Sequence, residues 1–287
     1  MHSRSYLVYD GLLRNSNTPV FKSTNRAFRY GDAVFETVRV HKGEPLFWNH
    51  HYERLMLGMS VMRFSLKGFP SRNRLKEQIC NLVVKSRIFY DARVRITVFR
   101  SGEGTYTPIS NAASWIIEAN SLNQTGYDFS GKGVMVDIYN DILKQHTPFS
   151  SFKNGASQIY VLAGLYAKEN LYDDVLILNS EERAVESVSS SLFWVKNGTI
   201  YTPLISSGSV DGVMRRQIVD IASKNRIPVI ENSGASIEEL MQADEIFLTN
   251  VIVGIKWVGA LRERRFYCEK SKELYHLLNN YIRDDHL

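Results

Sequence analysis

The sequence predicts a mixed α/β fold in two domains. Short apolar strands alternate with amphipathic helices through the first part of the chain, and the alternation resumes after a polar, glycine-rich stretch. That stretch, residues 121–133, has the composition of an interdomain linker. With 287 residues, each domain can bury its own core. We therefore expect an N-terminal α/β domain over residues 1–120 and a C-terminal domain over residues 134–287.

Pattern and turn residues locate the first elements. Two short strands, Tyr6–Val8 and Pro19–Phe21, are expected about a turn at Gly11. A strand over Ala33–Val40 then precedes a helix that Asn49 is expected to cap, because apolar side chains recur there at helical spacing.

A second helix and a pair of strands complete the first domain. Apolar residues at helical spacing predict a helix from about Arg72 to Arg87. The stretch Ala92–Phe99 alternates apolar with polar side chains, which is typical of a half-buried strand. Ser114–Ala119 is its expected partner.

The second domain carries sharper local signals. Asn197-Gly198 can both adopt the positive φ of a type I′ turn, which predicts a β-hairpin. Ser236-Ile-Glu-Glu239 is a capping box that opens a short helix. Longer helices are expected over Gly212–Asn225 and Glu269–Arg283.

The charge pattern argues against a nucleic-acid partner. The net charge is +5, but basic residues are scattered among acidic ones. The densest cluster, Arg262–Arg265, is typical of a solvated face. We expect no nucleic-acid binding and a mild attraction for anionic substrates.

Cysteine usage and the N-terminus predict a cytoplasmic protein. Cys80 and Cys268 lie far apart, without the spacing of a disulfide framework or a metal site. The segment Met1–Tyr9 has no apolar stretch long enough for a signal peptide or a membrane span. We expect no membrane association.

Two residues carry the chemistry. Lys153 precedes a predicted helix, and Glu186 lies on a strand beyond it. A pyridoxal 5'-phosphate (PLP) enzyme needs an amine to form a Schiff base and an acid to face the pyridine nitrogen. A lone lysine is usually a surface charge and a lone glutamate a solvated strand position, so the pair depends on the sequence around it.

That surrounding sequence resembles the class IV (fold-type IV) PLP enzymes over nearly the whole chain. The group includes branched-chain aminotransferases, D-amino acid aminotransferases and 4-amino-4-deoxychorismate lyases. The motifs that carry the resemblance occur in the family's order: Asn25–Thr37, His51–Leu55, Ser150–Lys153 with Val185–Ser187, Gly212–Arg215 and Ala243–Glu245. The resemblance implies a smaller N-terminal α/β domain, a larger C-terminal pseudo-barrel domain with PLP in the cleft, and a homodimer.

The resemblance also implies a set of cofactor residues. Lys153 would carry PLP and move the substrate Cα proton. Glu186 would face the pyridine nitrogen, and Arg54 would bind the phosphate. Further cofactor contacts are expected at a helix start and after the Ala-Asp-Glu motif: Gly212, Val213, Met214 and Asn250.

Arginines are the candidate anchors for a substrate carboxylate. Arg100 matches the first arginine of the loop that holds this group in D-amino acid aminotransferases and lyases. The second is replaced near Thr105, which weakens a D-amino acid hypothesis. Arg29 and Arg39 are alternative anchors, since a guanidinium can bind a carboxylate through two bonds, and Phe35 is expected to line the pocket.

Some positions depart from the family pattern. Ala156 replaces an asparagine found in many relatives, and Gln158 replaces the tyrosine that reaches the ring oxygen in branched-chain enzymes. Tyr160, two residues further on, would lie on the wrong helical face to substitute for it.

Three functions remain open on sequence alone. An aminotransferase, of branched-chain rather than D-amino acid type, is favoured slightly, because it is the commoner activity of the group. A 4-amino-4-deoxychorismate lyase is the alternative, favoured by Asn250 and by the ungapped match from Lys153 to Leu178. A non-catalytic binding protein is the third.

Overall fold

The computed structural model describes residues 5–283, which form two compact units. The first unit contains residues 5–126 and 152–156, and the second contains residues 127–151 and 157–283. Two short stretches lie outside the described residues. Residues 1–4 belong to the N-terminal segment in which no signal peptide is expected, and residues 284–287 end the predicted second domain.

An antiparallel sheet organises the first unit, with the strand order β2-β1-β6-β5-β3-β4. Its strands are β1 (Tyr6–Tyr9), β2 (Leu12–Asn15), β3 (Ala33–His41), β4 (Glu44–Pro45), β5 (Ala92–Arg100) and β6 (Ala113–Ser121). Its helices are α1 (Arg26–Tyr30), α2 (Trp48–Val61) and α3 (Arg72–Lys85). Apolar side chains of α2, α3 and the sheet form one core, in which Leu75, Ile79 and Ile96 are fully buried. Each such side chain stabilises the fold by about 1.5–3 kcal/mol.

Two predictions for the first unit are wrong. Asp10 and Gly11 both take positive φ, so the turn is tight and the second strand begins at once, at Leu12. The predicted strand Pro19–Phe21 is therefore absent, and those residues are irregular. α2 begins at Trp48, after Phe47 in a left-handed conformation, so Asn49 lies inside the helix and does not cap it.

Two other predictions for this unit are confirmed. β5 and β6 pair antiparallel along their full lengths. α3 begins at Arg72, where the hydroxyl of Ser71 caps it by accepting a hydrogen bond from the amide of Arg74. Its last residue, Lys85, lies two before the predicted end.

The sheet of the second unit closes on itself. Its strands are β7 (Val134–Lys144), β8 (Asp174–Asn179), β9 (Ala184–Ser187), β10 (Ser191–Lys196), β11 (Thr199–Pro203), β12 (Val229–Asn232), β13 (Glu245–Asn250), β14 (Gly254–Leu261) and β15 (Arg264–Arg265). The order is β12-β11-β10-β13-β14-β7-β8-β9, with β15 on β14. β9 also pairs with β10 through Glu186 and Ser191, which makes β10, β13, β14, β7, β8 and β9 a closed ring. This ring is the predicted pseudo-barrel.

Helices surround this ring: α4 (Gln158–Glu169), α5 (Val213–Lys224), α6 (Ile237–Met241) and α7 (Glu269–Arg283). The predicted capping box at Ser236 and Glu239 is confirmed. The predicted hairpin is also confirmed, because Asn197 and Gly198 take positive φ between β10 and β11.

The division of the chain departs from the predicted linear order. Within the predicted linker, Tyr127 is buried in the second unit and its hydroxyl donates to the carbonyl of Val251 at 2.7 Å. Residues 152–156 belong to the first unit, where they lie alongside β3. The amide of Phe35 donates to the carbonyl of Lys153 at 3.0 Å, and the amide of Gly155 donates to that of Ala33 at 2.9 Å.

Two further findings concern partners. Over residues 5–283, no helix combines the length and apolar character needed to span a bilayer. The same residues contain no cluster of three or more His, Cys, Asp or Glu side chains that could hold a metal ion.

Candidate active site

Lys153 lies in an extended segment that β3 holds in place. Besides the two hydrogen bonds to β3, Gly155 packs against Gly31 so closely that a Cβ on it would lie 2.3 Å from the Gly31 carbonyl oxygen. The helix α4 begins only at Gln158, so the backbone of Lys153 is positioned by a strand. Its Nζ is 5.6 Å from the centre of the Phe35 ring.

Arg95 shares the same aromatic ring. Its guanidinium carbon is 3.7 Å from the centre of the Phe35 ring, and its Nε donates to the hydroxyl of Thr97 at 3.2 Å. Burial, aided by the charge of Arg93, lowers the pKa of Arg95, which Glu118 partly opposes. Phe35 is thus flanked by two cations, Lys153 and Arg95.

The sequence pattern did not reveal Arg95, because alternation along β5 assigned it only to a polar face. The signal lies in the register. Phe35 pairs with Thr97 and Thr37 pairs with Arg95, so Arg95 is the diagonal same-face neighbour of Phe35.

Arg54 lies in a buried ionic cluster with Glu36 and His51. Its Nε and one Nη donate to the two carboxylate oxygens of Glu36, both at 2.7 Å. Nδ1 of His51 lies 2.7 Å from Glu36 Oε2, and its Nε2 is buried without a hydrogen-bond partner among residues 5–283. Glu36 therefore fixes the plane of the Arg54 guanidinium and occupies two of its donors, so the contact of Arg54 with a phosphate stays a prediction.

Electrostatics keep this cluster in one protonation state. Burial alone would raise the pKa of Glu36, but the charge and hydrogen bonds of Arg54, together with His51, lower it to about 2. Burial lowers the pKa of His51 against the opposing effect of Glu36. Glu36 is thus ionised at neutral pH. Glu36 lies on the buried face of β3, and a buried carboxylate needs a cationic partner. An acid at such a strand position is the feature that could have pointed to this cluster.

The predicted carboxylate anchors have other partners. Arg39 is fully buried, its Nε donates to Asp91 at 2.7 Å, and it also donates to the carbonyl of Gly126. Arg100 donates to Asp32, to Asn111 and to the carbonyl of Met62 at 2.7–2.9 Å.

These bonds argue against the substrate role predicted for Arg39 and Arg100. A substrate carboxylate would have to displace an existing charged or polar partner from each. The exposed Arg29 donates from Nε to the carbonyl of Ser23 at 3.1 Å, and its assignment stays a prediction.

Glu186 lies on β9 and is buried. Its Oε1 accepts hydrogen bonds from Nζ of Lys144 and from the hydroxyl of Tyr160, the latter at 2.8 Å. Its Oε2 accepts from the amide of Val210 at 2.9 Å. Burial, and then the charge of Glu186, raise the pKa of Tyr160.

Lys144 and Tyr160 were not assigned to the site from sequence. Tyr160 lies in the first turn of α4, two residues beyond Gln158, and its hydroxyl reaches Glu186. The expectation that it does not replace the tyrosine that contacts the ring oxygen stays a prediction. Lys144 lies at the end of β7, after an irregularity in the pairing with β8 that helical or strand periodicity cannot reveal.

The start of α5 forms a cradle for an anion. Gly212 precedes the helix without any side-chain cap, which leaves the first amides, including those of Val213 and Met214, for a ligand. A Cβ on Gly212 would lie 2.3 Å from Oγ of Ser191. Thr249, which pairs with Ser191, has a buried hydroxyl without a hydrogen-bond partner among the described residues.

Asn250 contributes to the turn that follows β13. Its Nδ2 donates to the hydroxyl of Ser190 at 3.0 Å, and its Oδ1 accepts from the amides of Ile252 and Val253. Its side chain is thus engaged within the protein, and its contact with a cofactor stays a prediction.

Comparison with known proteins identifies the family. The class IV amino-transferase family matches residues 33–260, which is more than half of the chain. The chain belongs to the class IV aminotransferases. The aminodeoxychorismate lyase of Bacillus subtilis is 26% identical over 257 residues, covering 87% of this chain and 84% of that protein. The branched-chain-amino-acid aminotransferase of Salmonella typhimurium is 28% identical over 260 residues, covering 87% and 82%.

Solved structures agree on the fold. The branched-chain aminotransferase of Thermoproteus uzoniensis, solved with norvaline, superposes with a TM-score of 0.88 and is 21% identical, covering 97% of this chain and 94% of that one. The predicted fold type IV is confirmed. The predicted enzymatic character and the PLP cofactor are confirmed by the family, whose members are PLP-dependent aminotransferases or lyases, one of them solved with pyridoxamine 5'-phosphate. The non-catalytic alternative is therefore set aside.

The residues of this class IV enzyme fit PLP. Glu186 offers a buried carboxylate, which suits a protonated pyridine nitrogen. Gly212 and the uncapped amides of α5 suit a phosphate. The unpartnered hydroxyl of Thr249, on β13 opposite Ser191, is a further donor.

Substitution at Gly212 tests the phosphate cradle. Gly212→Val should weaken PLP binding at least tenfold, because the new side chain must displace Ser191 and fill the cradle. Binding of pyridoxal, which lacks the phosphate, should change less; equilibrium dialysis of both ligands measures the difference. Gly131→Ala is the control, since its Cβ would meet open space. Equal losses for both ligands would contradict the phosphate assignment.

Proposed function

We propose that this enzyme is a PLP-dependent aminotransferase that moves an amino group between an amino acid of branched-chain type and a 2-oxo acid. The observation that carries the proposal is the pair of cations, Lys153 and Arg95, on the ring of Phe35. Both substrates have a carboxylate next to the reacting carbon, so a guanidinium that shares an aromatic ring with the reactive amine can orient each of them. Glu118 lies opposite Arg95 on β6 and partly opposes the lowering of its pKa, but the two side chains form no ion pair, so the guanidinium can still take a substrate carboxylate.

The residues assigned to the site have distinct tasks in this reaction. When bound, PLP supplies an electron sink for the substrate Cα. Lys153 carries the cofactor and moves the proton at Cα. Glu186 holds the proton at the pyridine nitrogen. The first amides of α5 bind the phosphate. Arg54, whose guanidinium plane Glu36 fixes, keeps the phosphate role that the family resemblance implies. Arg95 orients the substrate carboxylate above Phe35.

The bonding of Arg100 supports the preference against D-amino acids. This arginine is the one that would serve a D-amino acid carboxylate, and its guanidinium is engaged by Asp32 and Asn111. The match to D-alanine aminotransferases, such as that of Listeria monocytogenes at 24% identity, is similar to the other matches and does not offset this point.

A 4-amino-4-deoxychorismate lyase, which would release pyruvate and 4-aminobenzoate, is the second candidate. Asn250 and the 26% identity to the Bacillus subtilis lyase favour it. Aminotransferases usually add a small hydroxyl residue to the phosphate site, and in register that position is Val251 here. The buried hydroxyl of Thr249, two residues earlier, can supply such a group and so favours the aminotransferase.

A visible absorption spectrum tests the proposal. Purified enzyme with added PLP should show a cofactor band, and an amino acid with a branched side chain should convert it promptly to the pyridoxamine form without any oxo acid. A band that no L- or D-amino acid moves, together with pyruvate release from aminodeoxychorismate, would establish the lyase instead.

Two further assignments complete the proposal. We propose a homodimer, as the family resemblance implies, and a cytoplasmic location, because the chain carries no disulfide framework in its two cysteines. Gel filtration of the active enzyme tests the first.

A further inference from the structure

A second lysine in the second unit bears on the proposed reaction. Lys144 is nine-tenths buried, and its Nζ donates to Oε1 of Glu186. The same ammonium is 5.4 Å from the centre of the Tyr160 ring, whose hydroxyl donates to the same oxygen. Lys144 thus neutralises the carboxylate that is assigned to the pyridine nitrogen.

The hydrogen bonds of Glu186 leave room for one more donor. An ionised carboxylate has about four acceptor positions, two on each oxygen. Lys144 and Tyr160 occupy those on Oε1, and the amide of Val210 occupies one on Oε2. A pyridine N–H can therefore bind Oε2 while Lys144 keeps its place on Oε1.

We propose that Lys144 is a positioning residue that sets how firmly Glu186 holds the proton on the pyridine nitrogen of PLP. This inference rests on the proposed role of Glu186. A positive charge a few ångströms from a protonated nitrogen disfavours that protonated form, typically by about one to three pH units. Glu186 therefore favours the protonated pyridine nitrogen and Lys144 disfavours it. The strength of the electron sink depends on the balance between the two side chains.

Several charged and titratable groups surround Glu186, and only one of those named here is a cation bonded to it. They lie on several of the surrounding elements: Lys144 on β7, Tyr160 on α4, Asp174 on β8, which accepts from the hydroxyl of Ser187, and Asp211, which pairs with Arg216 beside Val210. β10, which pairs with β9 at Glu186, places the non-titrating Ser191 there. Among these, Lys144 is the cation bonded directly to Glu186.

The test measures the pyridine nitrogen itself. The wild type, Lys144→Gln and Lys144→Arg are loaded with PLP labelled with ¹⁵N in the ring, and the ¹⁵N chemical shift is followed with pH. Lys144→Gln keeps a hydrogen-bond donor but removes the charge, and Lys144→Arg keeps the charge. We expect the nitrogen of Lys144→Gln to keep its proton to a pH about one to two units higher than in the other two.

The outcomes separate this inference from the function it rests on. Identical titrations in all three proteins, with PLP bound, would overturn the role of Lys144 and leave the cofactor assignment intact. Absence of bound PLP in the wild type would overturn the proposed function instead. Lys144→Met provides a second neutral variant, and the upward shift must appear in whichever neutral variant folds.

Discussion

Lys153→Ala is expected to abolish turnover, with a loss of at least about a thousandfold. The substitution removes the amine assigned to carry PLP and, at the same time, the group assigned to move the Cα proton. Proton transfer by a positioned side chain alone contributes about 10²–10⁴-fold. The backbone of residue 153 keeps its hydrogen bond to Phe35, so the fold should persist. Steady-state kinetics and the absorption spectrum of the variant measure the effect.

The control and the contrary result are both informative. Lys168→Ala, at an exposed position of α4, should leave the spectrum and the rate unchanged. Added ethylamine should restore part of the activity of Lys153→Ala, because it replaces the missing base. If the variant keeps its cofactor band and its rate, the amine lies elsewhere, and Lys144 becomes the next buried lysine to test.

Local chemistry made much of the fold predictable. The hairpin at Asn197 and Gly198 and the capping box at Ser236 depend on neighbouring residues only, and both appear as predicted. The strand at Pro19–Phe21 failed for the opposite reason. Its position depended on the length of the preceding turn, and a two-residue turn left no room for the expected loop.

The partners of the buried arginines could not be predicted. Nothing near Arg39 in the sequence indicates Asp91, which lies on the loop before β5. That pairing depends on the register of β3 against β5, which is a tertiary property. In the sequence, an arginine without a neighbouring acid therefore looks available for a substrate. In the folded protein, Arg39 already donates to Asp91.

The same limit explains Arg95 and the segment that carries Lys153. Arg95 acquires its role by lying diagonally opposite Phe35, and residues 152–156 acquire theirs by pairing with β3 across more than a hundred residues of sequence. The family resemblance supplied Lys153, Arg54 and Glu186 because those residues lie in recognisable motifs. Glu36, Lys144 and Tyr160 needed the structure, since each is defined by a side chain that is distant in sequence.

The second large effect is expected at Glu36. Glu36→Gln should lower the free energy of unfolding of the first unit by about 3–5 kcal/mol, because it leaves the buried guanidinium of Arg54 without its counter-charge. Chemical denaturation of the apoenzyme, followed by fluorescence, measures the loss. Glu77→Gln is the matched control: its ion pair with Arg74 is exposed and contributes at most about 1 kcal/mol. Equal losses in the two variants would falsify the argument.

The pH dependence of stability gives the same cluster a second signature. Glu36 has a pKa of about 2 in the folded protein against a usual 4.5, so its contribution is fully present above pH 4.5 and is lost as the pH falls towards 2. His51 also has a lowered pKa, so the folded state prefers its neutral form and stability begins to fall below pH 6.5. Wild-type apoenzyme should therefore lose stability in two stages on acidification. Glu36→Gln should lack the lower stage, because glutamine does not titrate. If the lower stage is unchanged in this variant, the loss of stability between pH 4.5 and 2 comes from other carboxylates.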